Sequence, residues 1–320
     1  MININKMNII KKIEKEIEEI LQEEKEIKKR AEEINIPVYK NKEKEILVMS
    51  GGGIRGIVHV GVLKALEEYR ILEKIKKYAG TSIGTIIIGL YIFGYEPKEL
   101  WEFIKEYNFR NTQEINILEI FENYGIDSGK KFKELIKKLM LKKNINTEIT
   151  MKELYNKTKK EFIITRVCIN DNSIEYISYK KYPHIKVLDA MMSSMSIPFI
   201  YKPIKENEKY YVDGGILDNY PITIFDEEIE KVIGIHIKEK NKEEQKISNF
   251  EDYIKSILYC FIEGKQNNNI EKYKKYTIEI HLDNINPLNF NLSKEDKEKI
   301  YKIGFNKTIE YIKKNKLKKD

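Results

Sequence analysis

Apolar and polar positions divide this chain into an arm and a domain. Across residues 6–36, Ile10, Ile13, Ile17, Ile20, Ile27, Ala31 and Ile34 recur at heptad spacing on a Glu/Lys-rich background, broken once by Glu24. Pro37 ends the pattern. The simpler reading lays the isoleucine seam of one long helix on the main domain. The other makes it a coiled-coil arm, open to self-association, or a helix on a membrane surface. Residues 40–45 read as a polar linker, so residues 1–44 form a helical arm and linker, and residues 45–320 form one domain.

The domain opens on the continuous apolar run Ile46-Leu47-Val48-Met49, suited to a strand buried on both faces. Ile57, Val58, Val60, Val62, Leu63 and Leu66 then give a helix a broad apolar face that runs to about Tyr69. Residues 77–79 make a second short strand and residues 81–93 a second helix. This β-loop-α-β-turn-α order predicts an α/β fold whose central sheet is mainly parallel, with right-handed crossovers. Helices over 99–107, 128–141 and 151–159 fill the middle of the chain. Strands return over 161–169 and 174–179, antiparallel across Asn170-Asp171-Asn172. A helix over 187–195, closed by Ile197-Pro198, leads to strands over 209–212 and 231–237. A helix near 250–262, a strand over 276–282 and an amphipathic helix over 293–314 complete the chain, with Ser293 and Asp296 as a capping pair.

Composition changes this picture little. Charged residues make up 34% and hydrophobic residues 41%, as in a soluble globular protein, and a net charge of +7 is spread over lysines interleaved with glutamates. That charge allows attraction to an anionic membrane surface, and no nucleic-acid partner is expected. The two cysteines, Cys168 and Cys260, give neither a disulfide framework nor metal-ligand spacing, which points to a reducing compartment. Asn and Lys interrupt the first ten residues, so no signal peptide is expected, and no stretch is apolar for long enough to cross a bilayer. A cytoplasmic protein, soluble or peripheral to membrane, is the expectation.

Chemistry concentrates in two glycine-rich turns. Ser82 lies in Gly80-Thr81-Ser82-Ile83-Gly84, a strand-turn-helix with G-x-S-x-G spacing. A serine on such a turn is forced into a strained backbone, and its hydroxyl projects at a helix N-terminus, where negative charge is favoured. Alone the motif is weak, because turns collect Gly, Thr and Ser. Gly51, Gly53 and Gly56 follow the first strand with G-x-G-x-x-G spacing, but the next strand ends in Gly80-Thr81-Ser82, with no acid for a ribose hydroxyl, and no Lys-Ser/Thr pair closes a P-loop. An oxyanion hole fits better: consecutive glycines turn backbone N–H groups toward one point. Arg55 is suited to anchor that loop, to help hold an anionic group, or only to pair with a local carboxylate. Both turns end neighbouring parallel strands, and so share one sheet edge.

A serine nucleophile needs a base. His59 lies on the first helix, His184 follows Pro183 in a loop, and His236 and His281 alternate with isoleucines in strands. None is well placed, although His281 fits the late position of a Ser-Asp-His order. Asp213 ends a strand and is followed by Gly214 and Gly215, which is equally the pattern of an Asp-Gly turn and of a carboxylate that a serine can approach.

Together and in order, Gly51-Gly52-Gly53-Ile54-Arg55-Gly56, Gly80-Thr81-Ser82-Ile83-Gly84 and Asp213-Gly214-Gly215 resemble the three signatures of the patatin-like phospholipase family. Ser193-Ser194-Met195-Ser196-Ile197-Pro198 resembles the family's serine-rich, proline-ended segment. The resemblance covers about 45–237, weakens toward the C-terminus and is absent from the arm. It implies a three-layer α/β/α sandwich and a lipid acyl hydrolase with a Ser-Asp dyad, acting on lipid at a membrane surface without metal or cofactor. Carried over, Ser82 is the nucleophile and Asp213 its base. Gly51, Gly52 and Gly53 form the oxyanion hole, supported by Arg55 and Gly56, while Gly80 and Gly84 flank the nucleophile elbow. Ser50 is a departure, since many plant members carry aspartate there. It bears on how the loop is braced. Phe199 and Ile200 suit an acyl channel, and an ordinary core slightly better.

Overall fold

Ile46–Met49 forms β1, and all four residues are fully buried at the centre of an eight-stranded sheet. The computed structural model describes residues 43–238, 270–283 and 285–317, with Gln22 and short pieces at 247–249, 252–254 and 256–257. The chain divides into Met1–Lys42 and Glu43–Asp320. The heptad arm, Gln22 apart, lies outside the described residues, as does most of the segment expected to be helical near 250–262.

After β1 come α1 (Ile57–Glu68), β2 (Lys77–Thr81), α2 (Ile83–Ile92), α3 (Pro97–Glu106), the short α4 (Glu119–Asn123) and β3 (Gly125–Asp127). Next are α5 (Lys130–Lys142), α6 (Met151–Thr158), β4 (Glu161–Cys168), β5 (Ser173–Ile177) and α7 (Val187–Ser194). The described chain closes with β6 (Phe199–Tyr201), β7 (Ile204–Glu206), β8 (Lys209–Asp213), β9 (Val232–Lys238), β10 (Thr277–His281) and α8 (Lys294–Lys314). Strands β10, β9, β1, β2 and β4 run parallel, and β5, β8 and β7 add antiparallel pairs, so the sheet is mainly parallel, as the element order implied.

Alternation along β1 builds two cores. Leu47 and Met49 join Tyr78, Ile233 and Ile235 under α1, α2 and α8. On the opposite face Ile46, Val48, Ala79 and Ile163 pack on Tyr220, Ile222, Phe225 and Tyr273. Among the described residues that third layer is built on the 3₁₀ segments Pro221–Lys231 and Ile270–Tyr276, where the sequence pattern suggested no element of this kind. α8 starts at the expected cap, the Ser293 hydroxyl accepting the Asp296 N–H at 3.0 Å. The pattern also missed β3, β6 and β7. Each has three residues, too few to show alternation, and β3 and β6 pair in a separate two-stranded sheet.

The register of β4 decides where the site lies. Glu161 to Thr165 pair with β2, whose last partner is Thr81, while Arg166 to Cys168 pair with β8, which ends at Asp213. β5 holds the other edge across both sets of residues. β2 and β8 therefore approach from opposite directions along one edge of β4 and stop on consecutive residues. Gly84, in the first turn of α2, lets that helix close on β1: a Cβ there would stand 2.6 Å from the Met49 carbonyl oxygen and 2.7 Å from that of Ser50. Both obstacles are backbone, so Gly84→Ala should destabilise the domain by about 1–3 kcal/mol, measured by urea denaturation.

Candidate active site

Ser82 has φ 54° and ψ −126°, backbone that L-residues rarely adopt and that costs about 1–3 kcal/mol. The surroundings hold it there. Its N–H donates to the Ser194 hydroxyl at 3.0 Å, its carbonyl accepts the Thr85 N–H at 2.9 Å, and Thr81 Oγ1 donates to the Asp218 carbonyl at 3.0 Å. Gly80 and Gly84 flank the turn as expected, and Gly56 admits the Ile83 side chain that follows the serine. The Ser82 side chain is buried, with Oγ 3.7 Å from Met195 Sδ.

Asp213 caps the end of β8. Its N–H donates to the Ser196 carbonyl at 2.9 Å, and its Oδ1 accepts the Gly215 N–H at 2.7 Å. Gly214 lies against the Thr165 carbonyl, so the turn hugs β4. Oδ2 is buried without a hydrogen-bond partner. Burial pushes the carboxyl up to about 7, against the opposing pull of the Ser82 hydroxyl and the Gly215 N–H. The serine is thus near enough to act on the carboxyl, while its Oγ leans on Met195. Hydrogen bonds of this kind often tighten only when substrate is bound.

Segment 193–198 connects the two residues. Ser194 takes the Ser82 N–H and the Ser196 carbonyl takes the Asp213 N–H, while the Ser193 and Ser196 hydroxyls donate to the Ala190 and Met192 carbonyls. This clip has no signal in periodicity, because its serines act through short polar contacts.

The glycine loop stands at the same edge. Gly51 must lack a side chain, since a Cβ would lie 2.2 Å from Asn219 Oδ1 and 3.2 Å from the Ser82 Cβ. Its N–H is engaged by the Asn219 carbonyl at 3.0 Å, which leaves the amides of Gly52 and Gly53 as the candidates for the expected oxyanion hole. Gly53, at φ +56°, faces the Pro287 carbonyl, which accepts the Ile54 N–H at 2.8 Å. Arg55 is buried, with Nε 3.4 Å from the Gly52 carbonyl. The Ser50 hydroxyl donates to the Gly51 carbonyl at 3.1 Å and accepts the Ile237 N–H at 3.0 Å, tying the loop to β9. Asn219, which the sequence reading passed over, borders both loops: its Oδ1 also lies 3.0 Å from where a Gly215 Cβ would sit.

A family model for patatin-like phospholipase matches residues 47–226, a span that contains every one of these groups except Ile237 and Pro287. The chain belongs to the patatin-like phospholipase family. It is 34% identical over 268 residues to the probable lipid hydrolase 463L of Invertebrate iridescent virus 6, covering 82% of this chain and 86% of that protein. It is 28% identical over 179 residues to the lysophospholipase NTE1 of Candida glabrata, covering 55% of this chain but 9% of that one. Among solved structures, VipD from Legionella pneumophila shares the fold, with a TM-score of 0.60 at 17% identity over 85% of this chain and 67% of VipD.

In this patatin-like chain the histidines sit elsewhere. Burial holds His59 at about 4, so it is neutral, and Nε2 contacts the Ser50 carbonyl at 2.9 Å. His236 stacks on Tyr220, and His281 is exposed at the end of β10 on the far side of the sheet from β4. Phe199, suggested as core, is 41% exposed. The Asp213 carboxyl yields a pH test. Its folded pKa of about 7 exceeds the ordinary 3.8, so between these values the folded state keeps a proton that the unfolded state has released. Stability from this group therefore falls as pH rises through that window. Asp213→Asn should lose less stability than the parent between about pH 4 and pH 7 in urea denaturation.

Proposed function

We propose that this chain is a serine lipid acyl hydrolase of the phospholipase A type, cleaving fatty acyl esters of phospholipids or related lipids through Ser82 and Asp213. One observation carries the reading: β2 and β8 end on consecutive residues of β4, with a strained serine at one end and a buried carboxylate at the other. Family membership and the lipid-hydrolase and lysophospholipase names of the relatives support the substrate class.

In the proposed reaction Asp213 Oδ2 accepts the Ser82 hydroxyl proton as Oγ bonds to the ester carbonyl carbon. The amides of Gly52 and Gly53 receive the oxyanion, where aligned donors in a water-poor site act most strongly. Collapse breaks the ester bond, and Asp213 returns the proton to the leaving alcohol. Asp213 then takes a proton from water as its oxygen attacks the acyl-Ser82 carbonyl, and collapse breaks the bond to Ser82 Oγ, which takes that proton back from Asp213 as the fatty acid is released. A carboxyl near pH 7 is suited to both transfers, since a general base works best with its pKa close to the working pH. No helix among the described residues is long and apolar enough to cross a membrane, and we assign the reaction to a lipid surface met from the cytoplasmic side.

Fatty-acid release from a small lipid panel, combined with fluorophosphonate labelling, tests this. An adduct on Ser82 is expected, and Asp213→Asn should lower turnover by about 10²–10⁴-fold with the fold intact. A folded protein that forms no adduct would instead be a lipid- or partner-binding member. Ser194→Ala, which removes the brace on the Ser82 N–H, should slow turnover by about tenfold or more without abolishing it.

A further inference from the structure

The largest apolar exposure in the described residues gathers on the loop that ends at β3. Phe121 is 81% exposed, Leu118 74% and Ile117 70%, and Ile115 and Tyr124 are each more than half exposed. Four of these side chains stand on or beside the five-residue helix α4, which buries none of its own residues. Clusters of this kind on a soluble surface mark contact sites, whereas single exposed apolar residues need no explanation. We propose that this loop is the bilayer-docking surface of the enzyme, inserting Ile117, Leu118 and Phe121 among lipid chains. The inference rests on the lipid acyl hydrolase reading for its choice of occupant.

Two further observations favour a phospholipid bilayer. The first is connection to the site. Tyr124 leads into β3, whose Gly125 pairs with Phe199 at the start of β6. Phe199 is itself partly exposed, with φ 64°, and lies four residues beyond Met195, the side chain in contact with Ser82 Oγ. The Asn116 N–H donates to the Ile126 carbonyl at 2.7 Å, so the loop is fastened to β3. A short path of backbone therefore runs from the exposed loop to the serine.

The second observation is charge. Lys131, bonded to the Gln113 carbonyl at 3.4 Å, and Lys202, bonded to Asn123 Oδ1 at 2.6 Å, bracket the two ends of the loop, and both are exposed. Their hydrogen bonds go to neutral oxygens, which leaves their positive charge to act on lipid phosphates. The loop also carries three carboxylates, Glu114, Glu119 and Glu122, so the two lysines serve to place its ends at headgroup phosphates while the apolar side chains supply the binding. Apolar insertion flanked by lysines is the usual arrangement for a segment lying in the headgroup boundary.

The test uses the full chain with Ile117→Ser, Leu118→Ser and Phe121→Ser combined, at positions too exposed for the fold to depend on them. Co-sedimentation would be measured with vesicles of phosphatidylcholine containing about a quarter phosphatidylglycerol. Binding should fall at least about tenfold in the triple variant, with an unchanged thermal unfolding midpoint. Hydrolysis of vesicular phospholipid should fall with it, and hydrolysis of a short-chain ester kept below its micelle concentration should stay within about twofold. In a Phe121→Trp protein, vesicles should shift the added emission to the blue. Undiminished vesicle binding by the triple variant, or no blue shift on bound vesicles, overturns the proposal. So does a parent protein that sediments as a dimer while the variant is a monomer, since the loop would then seat a second copy. Vesicle binding is read without catalysis, so loss of ester hydrolysis in the parent would count against the acyl hydrolase reading and not against the docking surface.

Discussion

The site depends on β4 changing partners along one edge between Thr165 and Arg166. Had β8 paired elsewhere, Asp213 would be a turn residue remote from Ser82. Arg166 stabilises the change of partner. It is 1% exposed, its Nε donates to Glu175 on β5 at 2.9 Å, its Nη1 donates to Glu206 on β7 at 2.9 Å, and its guanidinium stacks 3.6 Å from the Tyr211 ring on β8. One buried cation thus ties together the three strands that pair antiparallel around the end of β2. Such a charge requires all of its partners, because losing one leaves an uncompensated ion in a low-dielectric interior.

The same burial produces the chemistry. Asp213 is shielded from water and keeps one oxygen free of hydrogen bonds, so its carboxyl is more basic than an exposed aspartate. Ser82 is held in its strained turn by Ser194 from one side and by the packing of α2 on β1 from the other. The clip formed by residues 193–198 positions both groups at once, and a shift in that segment would move the serine and the carboxylate together.

Much of this was legible in the sequence because the relevant signals are local. A four-residue apolar run gave β1, and glycines with a serine between them marked the elbow that the backbone at Ser82 adopts. The parallel order of the first strands followed from alternation of strand and helix. Contacts between distant segments were not legible. Asn219 contributes a backbone carbonyl to Gly51, which any residue type could supply, and β3 and β6 are too short to show a period. The Gly51 amide looked available in the motif and is engaged in the fold, because a carbonyl 168 positions away reaches it. The loop before β3 shows no periodicity of its own, and only the fold shows that nothing covers its apolar side chains among the described residues.

The claim that Asp213 activates Ser82 directly is tested best by the pH dependence of the rate at which a fluorophosphonate labels Ser82, compared between the parent and Asp213→Asn. The account predicts a parent rate that rises with pH through a single ionisation near pH 7, the value to which burial pushes Asp213, and a slow rate without that step in the variant. An ionisation near pH 7 that persists in Asp213→Asn would contradict it and assign the proton to another group.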